Sequence, residues 1–198
     1  MLESEANGRL EIFYENGKKV LNAPHANYSF GSLHRVFKRT FGYFKPDWKE
    51  VKQILILGYG GGSVVNLLMR QPQFNGKITA VDIDPVIREL AERHFPEELQ
   101  KTELHVRGAR EFLESTPMRY DLIVVDLFID QRVPEAFTHP YFIKELKKHL
   151  NPAGRVIHNL MFDKPESGQA VINLYQQHFE LVDRLELFGT NTVISARL

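Results

Sequence analysis

The chain has 198 residues, with 25 acidic and 25 basic side chains and no cysteine. Zero formal charge gives no general attraction to nucleic acid, and no basic cluster is interleaved with aromatic residues. No apolar window is long enough for a membrane span or a signal peptide, and a disulfide framework is excluded. We therefore expect one cytoplasmic globular protein that binds no nucleic acid, membrane or metal.

The N-terminal part of the chain predicts a β-hairpin. Leu10, Ile12 and Tyr14 alternate before the turn dipeptide Asn16-Gly17, and a return strand follows to Leu21. A two-stranded hairpin is not stable alone, so it is expected to pack on the main domain or on a second subunit of a homodimer.

A turn-rich segment and an amphipathic helix follow the hairpin. Residues 33–44 place Leu33, Val36, Phe37 and Phe41 on one helical stripe. We predict two units, residues 1–32 for the hairpin with its connecting segment and residues 33–198 for the main domain.

The stretch from 51 to 84 carries the strongest chemical signal. The apolar run 54–57 ends at Gly58-Tyr59-Gly60-Gly61-Gly62, and a helix and a second strand ending at Asp82 follow. Strand, glycine turn, helix, strand and terminal carboxylate in this order predict a nucleotide-type ligand whose ribose binds Asp82. Ser63 stands where the dinucleotide fingerprint needs glycine, which favours S-adenosylmethionine over NAD.

The remaining elements predict an open α/β sheet. Asp84 is expected to cap a helix that begins at Pro85. The strand 120–126 ends in Asp126, which should lie at the same sheet edge as Gly58 and Asp82. Further elements are predicted at 104–106, 141–150, 155–160, 169–179, 180–187 and 191–196, with a break at 151–154.

This pattern predicts a Rossmann-like fold of the S-adenosylmethionine-dependent transferase class. Its mostly parallel seven-stranded sheet would end in an antiparallel hairpin formed by the last two strands, with the short N-terminal β-hairpin added. A dehydrogenase domain would more often continue with another strand and helix.

Five motifs in order resemble the spermidine synthase family, over roughly residues 7–162. They are Gly58–Gly62, Ala80–Ile87, His94–Pro96, Arg110–Leu113 and Tyr120–Asp126. The chain is especially similar to the spermidine-synthase-like branch whose last motif reads DxF rather than DSSDP.

The resemblance implies a set of site residues. Asp126 matches the family's catalytic aspartate, which takes a proton from the attacking amine, and Tyr28 matches a tyrosine placed over the active site. The other implied contacts are Gly58, Gly60 and Gly62 to the aminopropyl or methionine group, Asp82 and Ile83 to the adenosyl ribose region, Gly108 and Ala109 to the adenine region, and Asp130 to the acceptor.

Departures from the family pattern keep the activity open. Gly108 replaces an aspartate that reads the adenine amino group, and Ile129 replaces the second aspartate of the last motif, with Asp130 one place on. Ser29 and Phe30 replace a histidine and a glutamate. A dicationic polyamine in a dry pocket needs paired carboxylates, and only Asp126, Asp130 and Glu135 are obviously near.

Three hypotheses remain. The first is aminopropyl transfer from decarboxylated S-adenosylmethionine to an amine such as a polyamine, with Asp126 as the base. The second is a methyltransferase that uses S-adenosylmethionine on an unknown substrate. The third is a non-catalytic adenosyl-binding module. The two donors differ by one carboxylate, which needs a cation or N–H groups and is repelled by acids.

Overall fold

The computed structural model describes residues 2–15, 18–22, 32–129, 132–162 and 165–198. The N-terminal part forms a small antiparallel sheet of β1 (Leu2–Ser4), β2 (Gly8–Glu15) and β3 (Lys18–Asn22). The predicted hairpin is present, and its turn at Asn16-Gly17 lies outside the described residues. The sequence did not reveal β1, because three residues are too few for an alternating pattern.

The main domain alternates helices and strands. In chain order it contains α1 (Ser32–Phe44), β4 (Gln53–Leu57), α2 (Ser63–Met69), β5 (Lys77–Asp82), α3 (Pro85–His94), α4 (Pro96–Gln100), β6 (Thr102–Val106), α5 (Ala109–Ser115), β7 (Tyr120–Val125), a 3₁₀ helix (Glu135–Phe137), α6 (Pro140–Lys148), β8 (Leu150–Met161), α7 (Pro165–His178), β9 (Leu181–Leu187) and β10 (Asn191–Arg197).

The described strands of the main domain form one seven-stranded sheet in the order β6-β5-β4-β7-β8-β10-β9. Pairing from β6 to β8 is parallel, and β10 pairs antiparallel with β8 and β9. The predicted sheet with a closing antiparallel hairpin is thus confirmed. Because the chain order reverses between β4 and β7, a crevice opens at their carboxyl ends, which is where open α/β sheets bind ligands.

The sheet is covered on both faces. Along β4, Ile54 and Ile56 pack with α1, α2 and α3, whereas Leu55 and Leu57 pack with α5, α6 and α7. Burial on both faces explains why the central strands are continuous Val, Ile and Leu runs rather than alternating ones. No helix in the described ranges is long and apolar enough to span a membrane.

The N-terminal sheet packs on the main domain. Leu10 and Leu21 are fully buried in the core on the α1 side of the main sheet. The Ser4 hydroxyl and the Asn7 amide both donate to Asp84 Oδ2 at 2.5 Å. The other Asp84 oxygen accepts from the Val86 backbone N–H at 2.9 Å, which confirms the predicted cap of α3. One buried carboxylate therefore joins the N-terminal sheet to the carboxyl edge of the main sheet.

The predicted break at 151–154 is wrong as a strand boundary. These residues lie within β8, where Tyr120 pairs with Leu150 and Leu122 pairs with Arg155. The extra residues bulge out of the β7 ladder, and regular pairing resumes at Arg155, where the sequence placed the start. Asn, Pro and Gly therefore mark an irregularity in the strand rather than its beginning. Helix α4 was also not predicted.

The carboxyl ends of β4 and β7 meet at Gly58. Gly58 has a φ of 93°, and a Cβ atom built on it would lie 2.1 Å from the backbone oxygen of Asp126. The Asp126 N–H donates to the Leu57 carbonyl at 2.8 Å, so the two backbones are also hydrogen-bonded there. Only glycine fits both the dihedral angle and this separation.

We expect Gly58→Ala to lower the free energy of unfolding by roughly 3 kcal/mol or more, since strain adds to backbone overlap. Gly189 is a matched control, because it has a φ of 71° and nothing within 4 Å of an added Cβ. Gly189→Ala should cost only about 1 kcal/mol. Chemical denaturation measures both values, and an equal loss in the two variants would contradict the close approach.

Candidate functional site

The glycines of the turn differ in whether they face the cavity or the protein interior. Gly58 and Gly60, with φ values of 93° and 54°, line a cavity at the carboxyl edge of the sheet. Gly62 caps α2 and does not line this cavity. A Cβ on Gly62 would lie 3.0 Å from Glu98 Cβ and from the Tyr59 hydroxyl oxygen, so it faces the protein behind the turn. Of the three predicted contacts, two therefore face the ligand space.

Asp82 holds the glycine turn in place. Its Oδ2 accepts from the N–H groups of Tyr59 and Gly60, both at 3.1 Å, and its Oδ1 accepts from the Asp84 N–H at 3.1 Å. Two carboxylate oxygens offer about four acceptor positions, so one on Oδ1 is left for a ligand hydroxyl. Burial raises the pKa of Asp82 from 3.8 to about 6, against the lowering effect of these backbone bonds.

Asp126 lies directly after β7, on the other side of the same turn. Its Oδ1 accepts from Asn159 Nδ2 at 2.9 Å. Burial raises the pKa of Asp126 from 3.8 to about 7, the Asn159 bond lowers it, and the charge on Asp82 raises it. The carboxylate can therefore gain or lose a proton near neutral pH, which suits a general base.

One cavity of about 1160 Å³ joins most of the predicted residues. Those that line it are Gly58, Gly60, Asp82, Ile83, Gly108, Ala109 and Asp126. Ile83 is an exposed apolar side chain there, a surface that a flat base can cover. Tyr28 and Asp130 lie outside the described residues. Glu135 does not line the cavity, although its neighbours Pro134 and Ala136 do.

A chain of amides extends from Asp126, and sequence reasoning missed it. Asn159 Oδ1 accepts from Asn191 Nδ2 at 3.0 Å, and Asn191 Oδ1 accepts from the Thr190 hydroxyl at 3.1 Å. The Asn191 bond orients the Asn159 amide so that its NH₂ group, and not its oxygen, faces Asp126. The available signal was Asn159 itself, a polar residue inside the apolar run 155–160.

Arg35 and Phe188 were also missed, and both line the cavity. The Arg35 guanidinium lies over the Phe188 ring at 5.8 Å, and the Arg39 guanidinium lies over it at 5.1 Å. Arg35 belongs to α1 and Phe188 to the turn between β9 and β10. Their sequence separation explains why no local pattern predicted the contact.

Comparison with known proteins identifies the family. The model for the spermine/spermidine synthase domain matches residues 42–187. The chain belongs to the spermine/spermidine synthase family. This confirms the resemblance drawn from the five motifs. A polyamine aminopropyltransferase of Vibrio vulnificus (strain CMCP6) is 34% identical over 113 residues. That match covers 54% of this chain and 37% of the relative, so the chain spans little more than a third of that family member.

Solved structures show the same fold. A probable spermidine synthase from Corynebacterium glutamicum ATCC 13032 matches with a TM-score of 0.80 over 99% of this chain and 78% of that one, at 19% identity. Human methyltransferase-like protein 13 in complex with SAH matches with a TM-score of 0.70 over 85% and 83%, at 20% identity. Members of the spermine/spermidine synthase family and methyltransferases thus share this architecture.

The raised pKa of Asp126 predicts how stability changes with pH. The folded state binds the Asp126 proton more tightly than the unfolded state does. The stability that Asp126 contributes is therefore fully present below pH 4 and is lost as the pH rises through 7. We expect Asp126→Asn to match the wild type at pH 4 and to exceed it by about 1–2 kcal/mol at pH 8. This difference is smaller than the full pKa shift would give, because the Asp126 carboxylate is partly open to the cavity and solvent screens its charge.

Denaturation at the two pH values measures this effect. Asp183→Asn is the control, because Asp183 is an exposed carboxylate on β9, and its stability difference from the wild type should not grow with pH in this way. If the stability of the Asp126→Asn variant relative to the wild type does not increase between pH 4 and pH 8, the raised pKa of Asp126 is contradicted.

Proposed function

We propose that this chain binds decarboxylated S-adenosylmethionine and transfers its aminopropyl group to an amine, with Asp126 as the base. The observation that carries the proposal is the Asp126 carboxylate, which borders the cavity beside the glycine turn and has its pKa raised to about 7. Membership of the family supports it, as does the name of the Vibrio vulnificus relative.

The donor is assigned to the side of the cavity formed by β4, β5 and α5. The remaining acceptor position on Asp82 Oδ1 would take one ribose hydroxyl, and the base would lie between Ile83 and the Gly108-Ala109 backbone. The propyl carbon next to the sulfonium would then lie near Gly58 and Gly60. This side lacks the adenine-reading carboxylate at Gly108, where an added Cβ meets only Glu111 Cβ at 3.9 Å.

The reaction requires one proton to leave the amine. An ammonium has no lone pair, so Asp126 Oδ2 accepts a proton while Oδ1 stays bonded to Asn159. The nitrogen lone pair attacks the carbon next to the sulfonium, and a nitrogen–carbon bond forms. The carbon–sulfur bond breaks, and its electron pair goes to sulfur. Neutral methylthioadenosine leaves, and the positive charge that the sulfonium carried passes to the nitrogen of the product ammonium.

A second candidate is methyl transfer from S-adenosylmethionine. The observation in its favour is the Arg35 guanidinium in the cavity wall, since it offers a cation to the carboxylate that distinguishes this donor. The structural match to the human protein in complex with SAH agrees with either donor, because both leave an adenosyl thioether.

Calorimetric titration tests the donor directly. We expect decarboxylated S-adenosylmethionine to bind at least about tenfold more tightly than S-adenosylmethionine, because Asp82 and Asp126 repel the extra carboxylate. Methylthioadenosine serves as the product control, and Asp82→Asn should weaken all three ligands by similar factors. Preference for S-adenosylmethionine would move the assignment to a methyltransferase. Binding of none of the three would support the non-catalytic module.

The pH dependence of transfer tests the base. The ratio kcat/KM reports the free protein and should rise with pH with an apparent pKa near 7, and Asp126→Asn should lower kcat at least about 100-fold while methylthioadenosine still binds. Asn159→Ala removes the hydrogen bond that lowers this pKa, so the rise should move to higher pH by up to about one unit.

Asn191→Ala removes only the outer partner of the amide chain. It should shift the same profile in the same direction by a smaller amount. If Asp126→Asn keeps the wild-type kcat, or if Asn159→Ala shifts the profile to lower pH, another group is the base.

A further inference from the structure

The cavity continues beyond Asp126 to a wall that carries no carboxylate among the described residues. This acceptor-side wall is formed by β8, the turn between β9 and β10, and α1. Its polar and aromatic members are Arg35, Asn159, Phe188, Thr190 and Asn191. An amine that reaches Asp126 from this side extends its other end along these residues.

Successive hydrogen bonds connect this wall to Asp126. The hydrogen bonds from Asp126 through Asn159 and Asn191 to Thr190 measure 2.9, 3.0 and 3.1 Å. Thr190 lies two residues from Phe188, over which Arg35 is stacked. The wall therefore runs from the proposed base to a guanidinium.

Phe188 is held in a conformation that such residues rarely adopt. Its φ is 55°, in the left-handed region, and its ring is 47% exposed. The guanidinium groups of Arg35 and Arg39, both from α1, lie over this ring. Gly189 follows Phe188 with a φ of 71°, so the two residues adopt the paired positive φ values of a tight hairpin turn between β9 and β10.

Arg35 differs in its ion pairing from the other arginines that line the cavity. The other two arginines that line it are paired within α5 or at its start, Arg107 with Glu111 at 2.7 Å and Arg110 with Glu114 at 2.8 Å. Glu5 lies on the opposite side, between Ser4 and Asn7, which bind Asp84. Within the described residues no carboxylate forms an ion pair with Arg35.

Most residues of the acceptor-side wall lie outside the family match. Arg35, Phe188, Thr190 and Asn191 all lie outside residues 42–187, whereas the donor-side residues and Asp126 lie inside them. Asn159, the remaining member of the wall, lies inside them.

We propose that the acceptor is an amine whose far end is a carboxylate bound by Arg35, and not a second ammonium. The inference rests on the proposed aminopropyl transfer. Arg35 would repel the far ammonium of a diamine, and the amides of Asn159 and Asn191 offer no charge to compensate it. The carboxylate would instead form a charge-assisted pair with the guanidinium.

The test compares acceptors that differ only at the far end. At each chain length from three to six carbons, an ω-amino acid, a simple alkylamine and an α,ω-diamine are offered with decarboxylated S-adenosylmethionine, and methylthioadenosine release is measured. We expect the amino acid to exceed the diamine by about tenfold in kcat/KM at the best length, with the alkylamine between them. The three kinds of acceptor are also titrated calorimetrically into the protein saturated with methylthioadenosine.

Two arginine variants form a matched pair. Arg35→Glu should reverse the order, so that the diamine exceeds the amino acid. Arg39→Glu removes the other guanidinium from Phe188, but Arg39 does not line the cavity. It should leave the ratio within about twofold of the wild type. A wild-type preference for the diamine, or an equal change in both variants, would overturn the proposal.

These measurements distinguish a failure of the proposed transfer from a failure of the proposed acceptor subsite. If no acceptor releases methylthioadenosine but the amino acid still binds more tightly than the diamine and Arg35→Glu reverses this, transfer is wrong and the subsite stands. Binding of none of the amines overturns the subsite. If Arg35→Glu weakens S-adenosylmethionine and leaves the amines unchanged, Arg35 pairs with the donor, which also overturns it.

Discussion

The absence of a side chain at Gly58 is the constraint on which the site depends. It lets the backbone of β4 pass within contact distance of the Asp126 carbonyl at the end of β7. The Asp126 side chain is thereby placed on one side of the glycine turn, while Asp82 binds the turn from the other side through two backbone N–H groups. The turn thus fixes two carboxylates around one ligand space, although they come from strands on opposite sides of β4.

Two partly buried carboxylates around one cavity are electrostatically unfavourable in the free protein. Their raised pKa values, about 6 and about 7, express that cost, which comes mainly from burial. The charge on Asp82 adds a smaller raising effect at Asp126, and the charge on Asp84 adds one at Asp82. A cationic ligand reverses the effect, because it favours the ionised form of both groups. The sulfonium of the proposed donor is such a cation. The same arrangement that weakens the free protein above neutral pH would therefore strengthen binding of a positive donor over a zwitterionic one.

The sequence predicted the parts of the site that follow from local pattern and from strand direction. Apolar runs located β4, β5 and β7, and parallel strands must end at one edge, so Gly58, Asp82 and Asp126 could be placed together before any coordinates. The sequence did not predict that Asp82 binds the backbone N–H groups of the turn, because an acidic residue at a strand end opposite glycines predicts a ligand contact instead. The amide chain was missed because Asn159 and Asn191 meet across β8 and β10, and side-chain partners over such distances need the register of the sheet. Tyr28 and Asp130 remain predictions.

The architecture separates what can vary from what cannot. The donor side is made from strand ends whose geometry is fixed by the core, so a changed residue there disturbs the glycine turn, the sheet edge or both. The exposed part of the acceptor-side wall comes from α1 and the three-residue turn between β9 and β10, where side chains can change at little cost to stability. Substitutions in the exposed part of that wall would leave the position of Asp126 unchanged. The transfer proposed at Asp126 is thus compatible with acceptors of different charge.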